Sequence, residues 1–321
     1  MRSLPLHPVG ELPDPFGRYS FVNAVDFHPS GRWLCAAYTQ RDVVVVPVGP
    51  TGFGRARVVR DPLRLRRWPQ DAAFLRDGTG LVVSDWRTGT LSLHAFAAGR
   101  ARRLPRRAAA PASLTGFKPH GMDLGPDGSL LLAYGATSHH ARGLCLRGPA
   151  AAGFPVLARL DGDGLPGIPK GIAWAGPDHA LVTFSDLDAL AVYAIDRGQA
   201  TMRQTQLVRG EATRLHRPED VVLAPGGRLC AVSNSGGRAI GLHAVDPAAG
   251  RITGPPVALL EAPANDPLVT PHGLAWSPDG TLLAVGEFGP TTTFDDGDIA
   301  PVGGHERARL RIFRLPDEVR G

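Results

Sequence analysis

Lysine is almost missing from this chain: Lys118 and Lys170 are the only two among 35 basic residues, all the others being arginine. That skew is what a high-GC coding sequence produces, so the net charge of +5 says little about a polyanionic partner. The densest basic stretches, Arg64–Arg67 and Arg100–Arg107, carry no interleaved aromatic residues and no nucleic-acid motif. They read as solvated surface, and no nucleic-acid partner is expected. Cysteine is scarce as well. Cys35, Cys145 and Cys230 make an odd count without CxxC spacing, which excludes a disulfide framework. Cys35 and Cys230, flanked by Leu and Ala, read as buried core thiols. No run approaches the roughly 18 apolar residues of a membrane span, and the first twenty residues lack the apolar core of a signal peptide. The expectation is a soluble, cytoplasmic protein with no membrane partner.

Turn formers are abundant instead: 40 Gly and 30 Pro are spread along the chain rather than clustered. They punctuate a repeat. Asn23-AVDFHPSG, Gln70-DAAFLRDG, His120-GMDLGPDG, Lys170-GIAWAGPD, Glu219-DVVLAPGG and His272-GLAWSPDG recur at intervals of about 50 residues. Each continues into an apolar run: WLCAAY, LVVSDW, LLLAYG, ALVTFS, LCAVSN and LLAVGE. Each unit is a β-hairpin joined by Pro-Asp-Gly or a relative, and a single hairpin cannot bury both its faces. Six units around an axis can. The expected fold is all-β, a six-bladed β-propeller of four-stranded antiparallel blades forming one domain. The blades fall at about residues 20–62, 68–108, 118–162, 168–212, 216–262 and 270–318. The last unit shows a single outer strand, ARLRIFRL, so residues 1–10, around Ser3 to His7, are expected to supply its outermost strand and close the ring. The stretch 289–306 departs furthest from the repeat and is a candidate lid.

In such a fold the residues that start the innermost strands gather at one mouth of the central channel. That column reads Asn23, Gln70, His120, Lys170, Glu219 and His272, six polar side chains. The second strand returns to the same rim, where Tyr38, Asp85, Gly135, Ser185, Asn234 and Glu287 form a second ring. Asp71, Trp86, His139, His140, Asp186, Asp220 and Phe288 lie beside them. His120 and His272, three blades apart on opposite sides of the axis, are candidates for acid and base work near neutral pH. Both stand in Pro-His-Gly, where the glycine lets a substrate or a neighbouring strand approach closely. Lys170 is a candidate base or anion binder, and Glu219 a group that orients an imidazole or binds a metal. Asn23, Gln70, Tyr38, Asp85, Trp86, Ser185, Asn234 and Phe288 are the candidate substrate-binding residues. Glu219, Asn23 and Glu287 are the oxygen ligands for a divalent metal, calcium or magnesium, if one is held.

With its PHG strand starts, SPDG turns and glycine-rich outer strands, the chain resembles the propeller group that includes gluconolactonase-type enzymes, propeller lactonases and streptogramin lyases. The gluconolactonase likeness implies a divalent metal at the channel mouth, carried here by Asn23, Glu219 and Asp220, whereas His120, Lys170 and His272 stand where that pattern has oxygens. The lyase likeness implies a catalytic histidine and a metal-binding glutamate, which His272 and Glu287 resemble, with Thr270 in place of a companion glutamate. Two readings of function follow. One is an enzyme that hydrolyses a lactone or ester, or performs acid–base elimination or isomerisation, on a small-molecule substrate. The other is a non-catalytic propeller that binds a protein or peptide.

Overall fold

A computed structural model describes residues 2–16, 21–39, 41–59, 68–103, 112–113, 118–135, 142–288 and 308–319. The candidate lid at 289–306, the pair His139–His140 and the stretch Arg64–Arg67 lie outside these residues, and Arg100–Arg107 is covered only as far as Arg103. Six antiparallel sheets each take an innermost strand from one repeat: Val22–Phe27, Pro69–Phe74, Pro119–Leu124, Pro169–Trp174, Pro218–Leu223 and Pro271–Trp276. The fold is a six-bladed β-propeller. In the fourth blade, for example, Pro169–Trp174 pairs with His179–Phe184, then Ala189–Asp196, then Thr201–Arg209. The apolar residues form six clusters, one at every junction between successive blades, including the junction of the sixth with the first. Alternation along each strand produces this, because side chains on the two faces of a sheet enter two different junctions. Cys35, Cys145 and Cys230 are free and buried in three of these junctions.

Ring closure differs from the expectation in one detail. His7–Pro13 pairs with Arg309–Arg314 and is the outermost strand of the sixth blade. Arg2–Pro5, with Ser3, instead runs parallel to Ala258–Glu261 and extends the fifth blade. Leu6, 1% exposed, sits between the two segments and packs with Leu260, Leu268, Phe313 and Leu315 across the fifth and sixth blades. Two blades are therefore tied by one segment. The four-residue strand Ala258–Glu261 would otherwise leave an open edge, and Arg2–Pro5 covers it.

Half-buried aspartates link neighbouring inner strands. Asp26 accepts a hydrogen bond from the Phe74 amide at 2.8 Å, Asp71 from Met122 at 2.7 Å, Asp123 from Trp174 at 2.9 Å and Asp220 from Leu274 at 2.8 Å. All four line a channel cavity of about 540 Å³ on the side of the hairpin turns. Burial raises the Asp26 carboxyl to about 7, with Asp123 adding to the rise and Arg76 and the Phe74 amide opposing it. Asp71 and Cys35 also lie close by. The unfolded chain ionises this carboxyl near its ordinary value, so the folded state holds the extra proton between about pH 4 and 7. Stability from this group is complete below that window, falls as pH rises through it, and is constant above. We expect the melting temperature of Asp26→Asn relative to the parent to improve by about 5 °C between pH 5 and 8. A difference that stays flat with pH would show that Asp26 is ionised throughout.

Candidate active site

The polar column is brought together. Asn23, Gln70, His120, Lys170, Glu219 and His272 are each the second residue of an innermost strand, and each is less than a tenth exposed. Proline precedes five of them, at the strand's first position, where no ladder hydrogen bond is lost. In every blade the register with the second strand then slips, between Val22 and Ala24, Pro69 and Asp71, and at the matching points of the other four. Such a bulge re-aims one side chain, and here it falls on the column. Hydroxyls of the second strand take up amides at the slip: Thr183 Oγ1 accepts from Gly171 at 2.8 Å and Ser233 Oγ from Asp220 at 2.9 Å. The glycines of the PHG and PKG motifs serve the neighbouring blade rather than a substrate. A Cβ at Gly121 would stand 2.4 Å from the Lys170 carbonyl, one at Gly171 2.6 Å from the Asp220 Cα, and one at Gly273 2.6 Å from the Asn23 carbonyl.

The channel is narrow enough for opposite blades to meet. His120 and His272, from blades three and six, have ring centroids 5.9 Å apart. His272 Nδ1 lies 2.8 Å from the Asn23 carbonyl, which can only accept, so Nδ1 carries the proton and Nε2 a lone pair. That Nε2 stands 3.6 Å from Glu219 Oε2, and Lys170 Nζ stands 3.9 Å from the same oxygen. Phe288 stacks on the His272 ring at 4.2 Å with the planes 6° apart, and Phe21 packs against Phe288. Burial, with the Lys170 ammonium and His272 beside it, holds His120 well below the ordinary histidine range, against a hydrogen bond to the Lys170 backbone. Burial also lowers His272, opposed by Glu219. Both imidazoles are neutral at neutral pH and can accept a proton or bind a cation. Asn23 Nδ2 and Gln70 Oε1, 3.3 Å apart, complete the ring.

The second ring does something else. Asp85 Oδ2 accepts from the Trp68 amide at 2.9 Å, Asn234 Oδ1 from His216 at 3.3 Å and Glu287 Oε2 from Val269 at 2.6 Å, while Asp186 takes the Ile168 amide. In each case the end of the second strand fastens the segment entering its own blade's inner strand. Glu287, fully buried, also pairs with Arg311 through Oε1 and Arg309 through Oε2, each at 3.2 Å. Tyr38 is buried in the junction of the sixth and first blades, edge-on to Phe16. Trp86 packs on Trp68, with the Lys118 ammonium 4.6 Å over its ring, and Ser185 is half-buried. Among the described second-ring neighbours, Phe288 packs directly on the His272 ring. In the oxygen set Asn23, Glu219 and Glu287, both Glu287 oxygens are already held by arginines and an amide. A calcium or magnesium cage built from it does not fit. Asp26, Asp123 and Phe21 were not among the sequence candidates, although the acids in the otherwise apolar NAVDF and HGMDL were a visible signal.

No family model and no curated protein sequence matches the chain. Solved structures do resemble it. Luciferin-regenerating enzyme superposes with a TM-score of 0.64 at 12% identity, over 95% of this chain and 94% of the other. The periplasmic gluconolactonase PpgL of Pseudomonas aeruginosa gives 0.53 at 18% identity, over 77% and 71%. U3-55K gives 0.61 at 12% identity, over 95% and 100%. At such identities the likeness establishes the propeller fold alone.

Proposed function

We propose that the chain is a hydrolase of small cyclic esters, with its reaction centre at His272, Glu219 and Lys170. The observation that carries this reading is the geometry of His272, whose Nδ1 donates to the Asn23 carbonyl while Nε2 faces a buried carboxylate at 3.6 Å. The likeness in fold to a gluconolactonase and to luciferin-regenerating enzyme supports it. In this reading water attacks the lactone carbonyl while His272 Nε2 takes the water proton, and Glu219 stabilises the imidazolium that forms. The Lys170 ammonium, 3.9 Å from Glu219, sits close enough to share its charge between that carboxylate and the developing oxyanion. When the ring C–O bond breaks, His272 returns the proton to the leaving alkoxide, so the products are a hydroxy acid and the unchanged enzyme. Phe288 fixes the imidazole plane, and Asn23 and Gln70 offer an amide nitrogen and oxygen for substrate hydroxyls.

The test is a panel of five- and six-membered lactones, glucono-δ-lactone included, followed by base uptake at constant pH. Hydrolysis of at least one member above its spontaneous rate is expected. Failure across the panel, with the protein folded, sinks the reading.

A further inference from the structure

We infer that His120, Glu219 and His272 form a binding site for one divalent ion of the zinc type. This goes beyond the reading above: the ion would take the same His272 Nε2 lone pair and Glu219 oxygen that the reading gives to the proton, so the proton relay belongs to the ion-free site, and ion binding is read without substrate. The three residues come from blades three, five and six, and all are buried. One ligand atom from each lies within 4.8 Å of the others.

The donor set argues for the kind of ion. Two imidazole nitrogens and one carboxylate oxygen suit zinc and its first-row neighbours, whereas calcium and magnesium demand oxygens alone. Donors about 2.1 Å from a tetrahedral zinc stand about 3.4 Å from each other. The His272–Glu219 pair, at 3.6 Å, is already at that spacing. The full set of donor atoms lies within 4.8 Å, so a bound ion would draw His120 in by roughly an ångström.

The surroundings argue for a ligand at this point. A neutral imidazole lone pair and a carboxylate oxygen are both acceptors, and two acceptors facing each other call for a proton or a cation between them. Both imidazoles are also oriented. His272 Nδ1 donates to the Asn23 carbonyl, and His120 bonds the Lys170 backbone, in each case the column residue of the following blade. Metal-binding histidines are oriented by such carbonyl bonds. Three protein ligands leave a fourth position open to water. Lys170 opposes the ion, because its ammonium shares the Glu219 oxygen. The two cations compete, and the affinity is set below that of an unopposed site.

The test uses full-length protein stripped with a chelator, dialysed, and titrated with Zn(II) by calorimetry, then with Co(II) by visible absorption. One ion per chain is expected, with the cobalt spectrum of a four- or five-coordinate site, and millimolar calcium or magnesium should not displace it. His120→Ala and His272→Ala should each weaken zinc by about 100-fold or more, and Lys170→Met should tighten it by about tenfold. Absence of stoichiometric zinc binding by the parent protein overturns the inference. Binding that persists unchanged in both histidine variants places the ion elsewhere and overturns it equally. Zinc binding without turnover of any lactone removes the reaction and leaves the site. Lactone turnover by protein that binds no zinc removes the site and leaves the reaction.

Discussion

On the proposed lactone hydrolysis, replacing His272 with asparagine is expected to lower turnover by about 10³-fold while moving the melting temperature only a few degrees. Asparagine is chosen because its side-chain amide nitrogen falls near the position of Nδ1, so the bond to the Asn23 carbonyl at 2.8 Å can be kept. What disappears is Nε2, the atom 3.6 Å from Glu219 to which the proposed mechanism gives the proton transfer in both steps. The stacking on Phe288 is reduced, which accounts for the small loss of stability. The same comparison in Glu219→Gln should cost less, because the carboxylate stabilises the imidazolium without itself carrying the proton. Full activity in His272→Asn would remove His272 from the reaction. A loss of activity matched by a melting temperature lowered by tens of degrees would show that the residue serves the fold.

The second large effect concerns stability. Glu287→Ala is expected to destabilise the protein by about 3–5 kcal/mol, seen as a fall in the urea midpoint. The carboxylate is fully buried and faces Arg311, itself only 2% exposed. Removing it strands a guanidinium whose remaining carboxylate partner is Asp266 at 3.0 Å, and it frees the Val269 amide. Burial raises the Glu287 carboxyl above its ordinary range, against the pull of that amide and the two arginines, so the group depends on those partners to stay charged. The double change Glu287→Met with Arg311→Met should recover much of the loss, since a well-packed apolar pair avoids both desolvation costs. If Glu287→Ala leaves the midpoint unchanged yet abolishes turnover, the glutamate belongs to the reaction centre and its role in fastening the blade is refuted.

These two residues show where sequence reading succeeds and where it stops. His272 and Glu287 both came from columns of the repeat, and both columns were placed at one rim. The first column converges because the bulge at every inner-strand start turns its side chains to a common axis. In the second column, Asp85, Asn234 and Glu287 instead fasten the entering segments of their own blades. Nothing in LLAVGE distinguishes a glutamate that reaches the channel from one that turns back to Val269. The arginines that decide the matter, Arg309 and Arg311, lie more than twenty residues further along the chain. Tyr38 is misplaced for the same reason, since its direction depends on the first blade's contact with the sixth. The N-terminal segment was legible as a closing strand, but its division at Leu6 was not, because the open edge of the fifth blade exists only once the ring is assembled.

The sequence by itself determined the number of blades, their hairpins and the identity of the polar column, because turn chemistry and alternation are local properties that six repeats state six times. The tertiary structure alone decided which polar residues meet. Histidines from opposite blades stand 5.9 Å apart because small residues and glycines let the six inner strands crowd the axis. Whether a first-column residue faces a carboxylate, an ammonium or an imidazole is a distance across the channel, and distances between blades are set by packing at junctions that no single repeat contains.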